Sequence, residues 1–157
     1  MKTEGQEWEI RDGVSRMELL IESDSCNESF ARVVVASFMA RLDPTLEETD
    51  DVKTAVSEAV TNAVIHGYAE TRGIVRITAW TQERELHVTV EDEGCGIENV
   101  EKAMEPMYSG ALGRDRSGMG FCFMEAFMDE LIVESEVGRG TRVQMKKIIG
   151  REEEQVD

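Results

Sequence analysis

From Val52 to Ala63 the apolar residues recur at helical spacing. Val52, Ala55, Val56, Ala59, Val60 and Ala63 make one stripe, and Gly67 stands where a helix stop is expected. Thr45-x-x-Glu48, just after Pro44, is a capping box that opens this helix. A second box, Ser25-x-x-Glu28, predicts an earlier helix. There Phe30, Val33, Val34, Ser37 and Phe38 share the face expected to meet the core, with Glu28, Arg32, Val35 and Met39 opposite. Beyond Gly67 the period changes to two. Val75, Ile77 and Ala79 alternate with polar positions, and so do Leu86, Val88 and Val90, with Gln82-Glu83-Arg84 as the turn between two strands. A glycine-rich irregular segment, a helix around Met119 to Met128 and a hairpin of Leu131 to Ser135 and Thr141 to Ile148 complete the pattern. With a strand at Leu19-Leu20-Ile21, the order is strand, helix, helix, hairpin, irregular segment, helix, hairpin. Hairpins make the sheet mostly antiparallel, and the helices then stack on one face: an α/β two-layer sandwich.

Residues 1–16 carry no apolar period and are expected to be a flexible leader; 17–149 form one folded domain, and 150–157 an acidic tail. Lys plus Arg number 17 against 33 Asp plus Glu, a formal charge of −16, which disfavours direct contact with a phosphate backbone. Three cysteines, Cys26, Cys95 and Cys122, follow no metal or disulfide spacing and fit a reducing cytoplasm. No signal sequence is evident, and the longest apolar run, Val33 to Ala40, is far short of the ~20 residues of a membrane span. A soluble cytoplasmic protein is expected.

Three constellations carry chemistry. Glu58 and Asn62, four apart on the second helix, leave it on one line beside the core stripe, and His66 continues that line. Asp92-x-Gly94-x-Gly96-Ile97 follows a strand; the glycines allow close approach to a flat ligand, and the carboxylate can accept from an exocyclic amine. Arg116-x-Gly118-x-Gly120 enters a helix whose free N–H groups suit an anion, with Arg114 nearby and a small-residue run, Ser109 to Gly113, before it. Each alone also reads plainly, as a solvated helix shoulder, a capped glycine turn and a loop with surface arginines.

In this order the three resemble the N, G1 and G2 boxes of the ATPase superfamily that unites gyrase, heat-shock chaperones, histidine kinases and mismatch-repair ATPases. No GxxxxGK[ST] or HRD/DFG pair competes. Within that superfamily, Asn27 to Arg32, Leu42 to Thr45, Ser57 to Ala63, His66-Gly67-Tyr68, Arg116 to Phe121 and Val133 to Glu136 are similar to the anti-sigma F factors of sporulation. The resemblance runs from about residue 17 to 148. It implies a Bergerat-type ATP-binding fold, a homodimer, sequestration of sigma factor F in the ATP state, and phosphorylation of a serine on an anti-anti-sigma factor, leaving ADP. It also implies Glu58 as general base, Asn62 as Mg²⁺ ligand, Asp92 as the adenine reader with Gly94 and Gly96 shaping its pocket, and Arg116, Gly118 and Gly120 at the phosphates. Arg32, with the apolar Val35 and Met39 beside it, is expected to contact protein partners. The stretch Ser109 to Gly113 departs from the family's Thr-Thr-Lys-Pro-like lid.

The rival readings are a general-stress anti-sigma kinase, a sigma-binding module without kinase activity, a chaperone-like ATPase, and the detached catalytic domain of a histidine kinase. The last would need a phospho-accepting helical hairpin, which residues 1–24 cannot supply.

Overall fold

A computed structural model describes residues 8–105 and 120–150 of the chain. Strands β1 (Val14–Glu22), β2 (Ile74–Gln82), β3 (Glu85–Asp92), β4 (Glu130–Glu136) and β5 (Gly140–Ile148) form one sheet in the order β1-β2-β3-β5-β4. Every neighbouring pair is antiparallel. Helices α1 (Cys26–Met39), α2 (Leu46–Thr61), α3 (Val100–Ala103) and α4 (Gly120–Phe127) accompany it. The two-layer α/β arrangement expected from the period changes is therefore the observed one, with the short α3 added inside the segment read as irregular. Among the described residues no helix is long and apolar enough to cross a membrane.

The strict alternation in β2 and β3 has a direct consequence. Val75, Ile77 and Ala79 face inward from β2, and Leu86, Val88 and Val90 from β3, all buried beneath the helices. The next inward position on β3 is Asp92, so the same period that builds the core delivers a carboxylate to its edge. Outward side chains pair across the strands: Arg76 binds Glu18, Arg142 binds Glu91, and Trp80 stacks on His87 with ring centroids 3.6 Å apart.

Helix α2 forms as its sequence dictates. The Thr45 hydroxyl accepts from the Glu48 N–H, and the Glu48 carboxylate accepts from the Thr45 N–H, both halves of the capping box. At the other end Gly67 is not a left-handed stop. The last turns, Asn62–Gly67, widen into π-helical geometry that closes with the Tyr68 N–H on the Ala63 carbonyl at 2.9 Å. Such widened turns are rare and concentrate at functional sites.

Two expectations for α1 are corrected. Ser25 makes no side-chain cap; the Asp24 carboxylate instead accepts from the Cys26 N–H. The buried stripe is Ala31, Val35, Phe38 and Met39, continued by Leu42 in a 3₁₀ turn, whereas Phe30 and Val33 are 53% and 55% exposed. Both faces of this helix are apolar, so spacing alone did not decide between them. The stripe that reaches Leu42 is the longer one, and its small Ala31 suits a close approach where α1 packs on α2, β1 and β2. Val35 and Met39 have no exposed surface and cannot be the partner contacts expected of them.

The first strand also differs from its expected extent. It begins at Val14 and pairs with β2 from Val14–Gln82 to Glu22–Ile74, so residues 14–16 belong to the sheet. Edge pairing through backbone groups needs no apolar side chains, which is why the polar Ser15 and Arg16 gave no signal. Ahead of them the Arg16 guanidinium lies 4.7 Å from the Trp8 ring centre.

Candidate functional site

Helix α2 is the spine of the site. Glu58 and Asn62 leave it on one side, and each end of this stretch abuts a different motif. Toward the N-terminal end, a Cβ placed on Gly120 would come 3.2 Å from the Glu58 carboxylate oxygen Oε2. The first residue of α4 thus lies bare against the carboxylate, and a glycine there leaves room beside it. At the C-terminal end, a Cβ on Gly67 would lie 2.7 Å from Asp92 Oδ1 and 2.9 Å from Oδ2. The backbone at Gly67 is pressed flat against the Asp92 carboxylate. That contact explains the glycine, which the sequence pattern had suggested only as a helix stop.

Asp92 is 7% exposed. Its Oδ1 accepts from the Gly94 N–H at 2.9 Å, and the Thr141 backbone N–H also donates to the carboxylate. Burial is the larger effect and pushes the carboxyl above its ordinary range; the two N–H donors pull the other way. No cation offsets it among the described residues. A buried acid with unused acceptor capacity, at the rim of a core, suits a ligand that brings its own donor.

The loop that follows is held on three sides. The Cys95 N–H donates to the Gly67 carbonyl at 2.8 Å, and a Cβ on Gly94 would fall 1.9 Å from that same oxygen. Gly96 takes φ +77°, and its Cβ would collide with the Glu136 carbonyl at 2.2 Å. Only glycine accepts both that backbone and that approach. The Ile97 N–H donates to Ser135 Oγ at 2.7 Å, and Ser135 in turn contacts Thr141 Oγ1 and the Gly140 carbonyl.

Of the residues expected to act together, Glu58, Asn62, Asp92, Gly94, Gly96 and Gly120 converge around the C-terminal half of α2 and the ends of β3 and α4. Arg116 and Gly118 lie outside the described residues, as do Arg114 and the run Ser109 to Gly113. Gly67, Tyr68 and Ser135 lie in stretches that carry the family resemblance but had no role in the site assigned to them, and Thr141 lay outside every motif. Thr141 is the cross-strand partner of Asp92, a pairing visible only once the register of β3 and β5 is known. Among the described residues no group of three or more His, Cys, Asp or Glu side chains is arranged to hold a metal.

Residues 22–147 match the model of the histidine kinase-like ATPase domain. The chain is 62% identical over 133 residues to the anti-sigma F factor of Clostridium acetobutylicum, covering 85% of this chain and 93% of that protein. It is 58% identical over 132 residues to that of Clostridium kluyveri (84% and 93%) and 57% over 135 residues to that of Caldanaerobacter subterraneus (86% and 94%). Among solved structures, a blue-light activated histidine kinase of Erythrobacter litoralis superposes with a TM-score of 0.53 at 21% identity. That match covers 76% of this chain and 41% of the kinase, and shows a shared fold.

Proposed function

The chain belongs to the anti-sigma F factors, within the histidine kinase-like ATPases, and we propose that it holds sigma factor F in its ATP-bound state and phosphorylates a serine of an anti-anti-sigma factor. The observation that most supports this reading is the geometry of α2. One helix presents Glu58 against the start of α4 and, at its widened end, backs the buried Asp92 with Gly67. A nucleotide whose base meets Asp92 and whose phosphates approach α4 would pass Asn62 and Glu58 on the way.

In this mechanism the Asp92 carboxylate accepts a hydrogen bond from the adenine 6-amino group, and Gly94 and Gly96 leave space for the flat ring. Guanine presents an oxygen at that position and is repelled. Arg116, Gly118 and Gly120 act on the triphosphate through a guanidinium and helix N–H groups. The Asn62 amide oxygen is a hard donor of the kind Mg²⁺ takes when triphosphate oxygens and waters fill the rest of its shell. Bound there, Mg²⁺ supplies charge neutralisation of the phosphates. Glu58 takes the proton from the substrate serine hydroxyl as its oxygen bonds to the γ-phosphorus; the bond to the β-phosphate oxygen breaks, and ADP leaves. A positioned base of this kind contributes roughly 10²–10⁴ in rate.

Arg32 serves the protein partners. Its Nε is enclosed without a hydrogen-bond partner, and its ion pair to Glu28 is a loose 3.7 Å. The side chain as a whole is 38% exposed, so the Nη donors at its end are within reach of a partner's acceptors. The exposed large apolar side chains of α1 are Phe30 and Val33, in place of the buried Val35 and Met39. A homodimer belongs to the same reading and is checked by sedimentation.

The test is radiolabelled phosphate transfer to the anti-anti-sigma factor, with ATP affinity measured in the presence and absence of sigma factor. Glu58→Gln keeps size but cannot take a proton, so transfer falls by roughly 10²–10⁴ while ATP binding persists. That variant keeps hold of sigma factor. Linkage requires sigma factor to tighten ATP binding by the factor with which ATP tightens sigma binding. Near-normal transfer by Glu58→Gln would move the base elsewhere. No transfer by the wild type, with ATP-dependent sigma binding intact, would leave a binding module without kinase activity.

A further inference from the structure

We propose that the Tyr68 hydroxyl is a positioning group for adenine recognition, fixing the peptide that carries Asp92 into the glycine loop. The inference rests on the nucleotide reading above and concerns a residue outside the three motifs. Tyr68 is the first residue after the widened end of α2, and its side chain is buried. Its hydroxyl donates to the Ile74 carbonyl at 2.8 Å and accepts from the Glu93 N–H at 2.7 Å. One oxygen thereby joins the end of α2, the start of β2 and the residue directly after Asp92. The ring lies against Gly73, where a Cβ would come 2.3 Å from Cε1, so nothing larger fits beneath it. Gly73 is itself tied to the end of β1 through Ser23, with bonds of 2.9 and 3.0 Å. The hydroxyl is thus anchored from the sheet and points at the Asp92–Glu93 peptide.

The consequence for Asp92 follows from the rest of its surroundings. Gly67 blocks one side of the carboxylate, and the Gly94 N–H holds Oδ1. The Thr141 N–H holds it from β5, and the peptide that leads from Asp92 to the Gly94 donor is fixed by the hydrogen bond from the Glu93 N–H to Tyr68. Burial, with the charges of Asp92 and Glu93 nearby, raises the Tyr68 phenol further above its already high range, so it remains protonated and keeps both roles at physiological pH. Without that bond the carboxylate swings relative to a bound base, and only a base that donates to it suffers.

Calorimetric titration of the full chain with ATP and with GTP tests this. Tyr68→Phe keeps the ring on Gly73 and loses both hydrogen bonds; ATP affinity falls about tenfold while GTP affinity is unchanged, so the preference for adenine narrows by the same factor. A purely structural role would weaken both nucleotides together, or neither, and either result overturns the proposal. Should Tyr68→Phe fail to fold, 4-aminophenylalanine at position 68 separates the two bonds. Its amine still donates to Ile74 but is a poor acceptor for Glu93. The folded variant should lose ATP preference like the phenylalanine form, and wild-type discrimination by it would refute the positioning role. Absence of ATP binding by the wild type would instead remove the nucleotide reading on which the proposal stands.

Discussion

At the residue scale, Asp92 shows a site charge held at a cost to the fold. Burial raises its pKa, so folding favours the protonated acid, and its contribution to stability declines as pH rises through that raised value. Asp92→Asn removes the buried charge while an amide oxygen can still accept from Gly94 and Thr141. The nucleotide-free variant should melt at or above the wild type at about pH 7, with the difference shrinking as pH falls through the raised value of the wild-type acid. Its preference for ATP over GTP should fall at the same time. Thermal melts across pH together with nucleotide titration check both halves; a variant less stable at neutral pH would contradict the burial argument. The acid and its two glycines were legible as a motif. Gly67 was legible only as punctuation, because its true constraint is that a Cβ there would come 2.7 Å from the Oδ1 of Asp92, 25 positions away in sequence.

At the scale of elements, α1 and α2 contrast. The α2 stripe of Val and Ala has polar shoulders, so its period fixed which side is buried, and the Thr45–Glu48 box fixed where it starts. Helix α1 carries apolar residues on two faces, and its orientation is set by contacts with α2, β1 and β2. Truncations separate the faces. Met39→Ala, at a fully buried site, should cost about 2–5 kcal/mol, whereas Phe30→Ala and Val33→Ala should change stability by no more than about 0.5 kcal/mol. If Arg32 and its exposed neighbours meet partners, the same two surface variants weaken sigma or anti-anti-sigma binding in pull-downs. Denaturant titration and pull-down on one set of proteins distinguish core from contact.

At the scale of the whole molecule, a net charge of −16 on 157 residues opposes the compact state through self-repulsion. Salt screens that repulsion and also weakens the surface pairs, such as Arg142–Glu91 and Lys146–Glu85. Exposed pairs are worth about 0–1 kcal/mol each, so repulsion is the larger effect. Raising NaCl from about 0.02 M to about 0.3 M should lift the melting temperature by roughly 2–4 °C, and a fall would show that the pairs dominate. The sequence by itself determined the order of the strands and of the three longer helices, the antiparallel hairpins and the position of Asp92 at the end of a strand, since each follows from a local period or cap. Only the tertiary structure decided which face of α1 is buried, that Thr141 pairs with Asp92, that Gly67 backs the carboxylate, and that Tyr68 reaches Glu93. Those facts depend on strand register and on contacts between residues distant in sequence, and neither leaves a mark in the local order of polar and apolar residues.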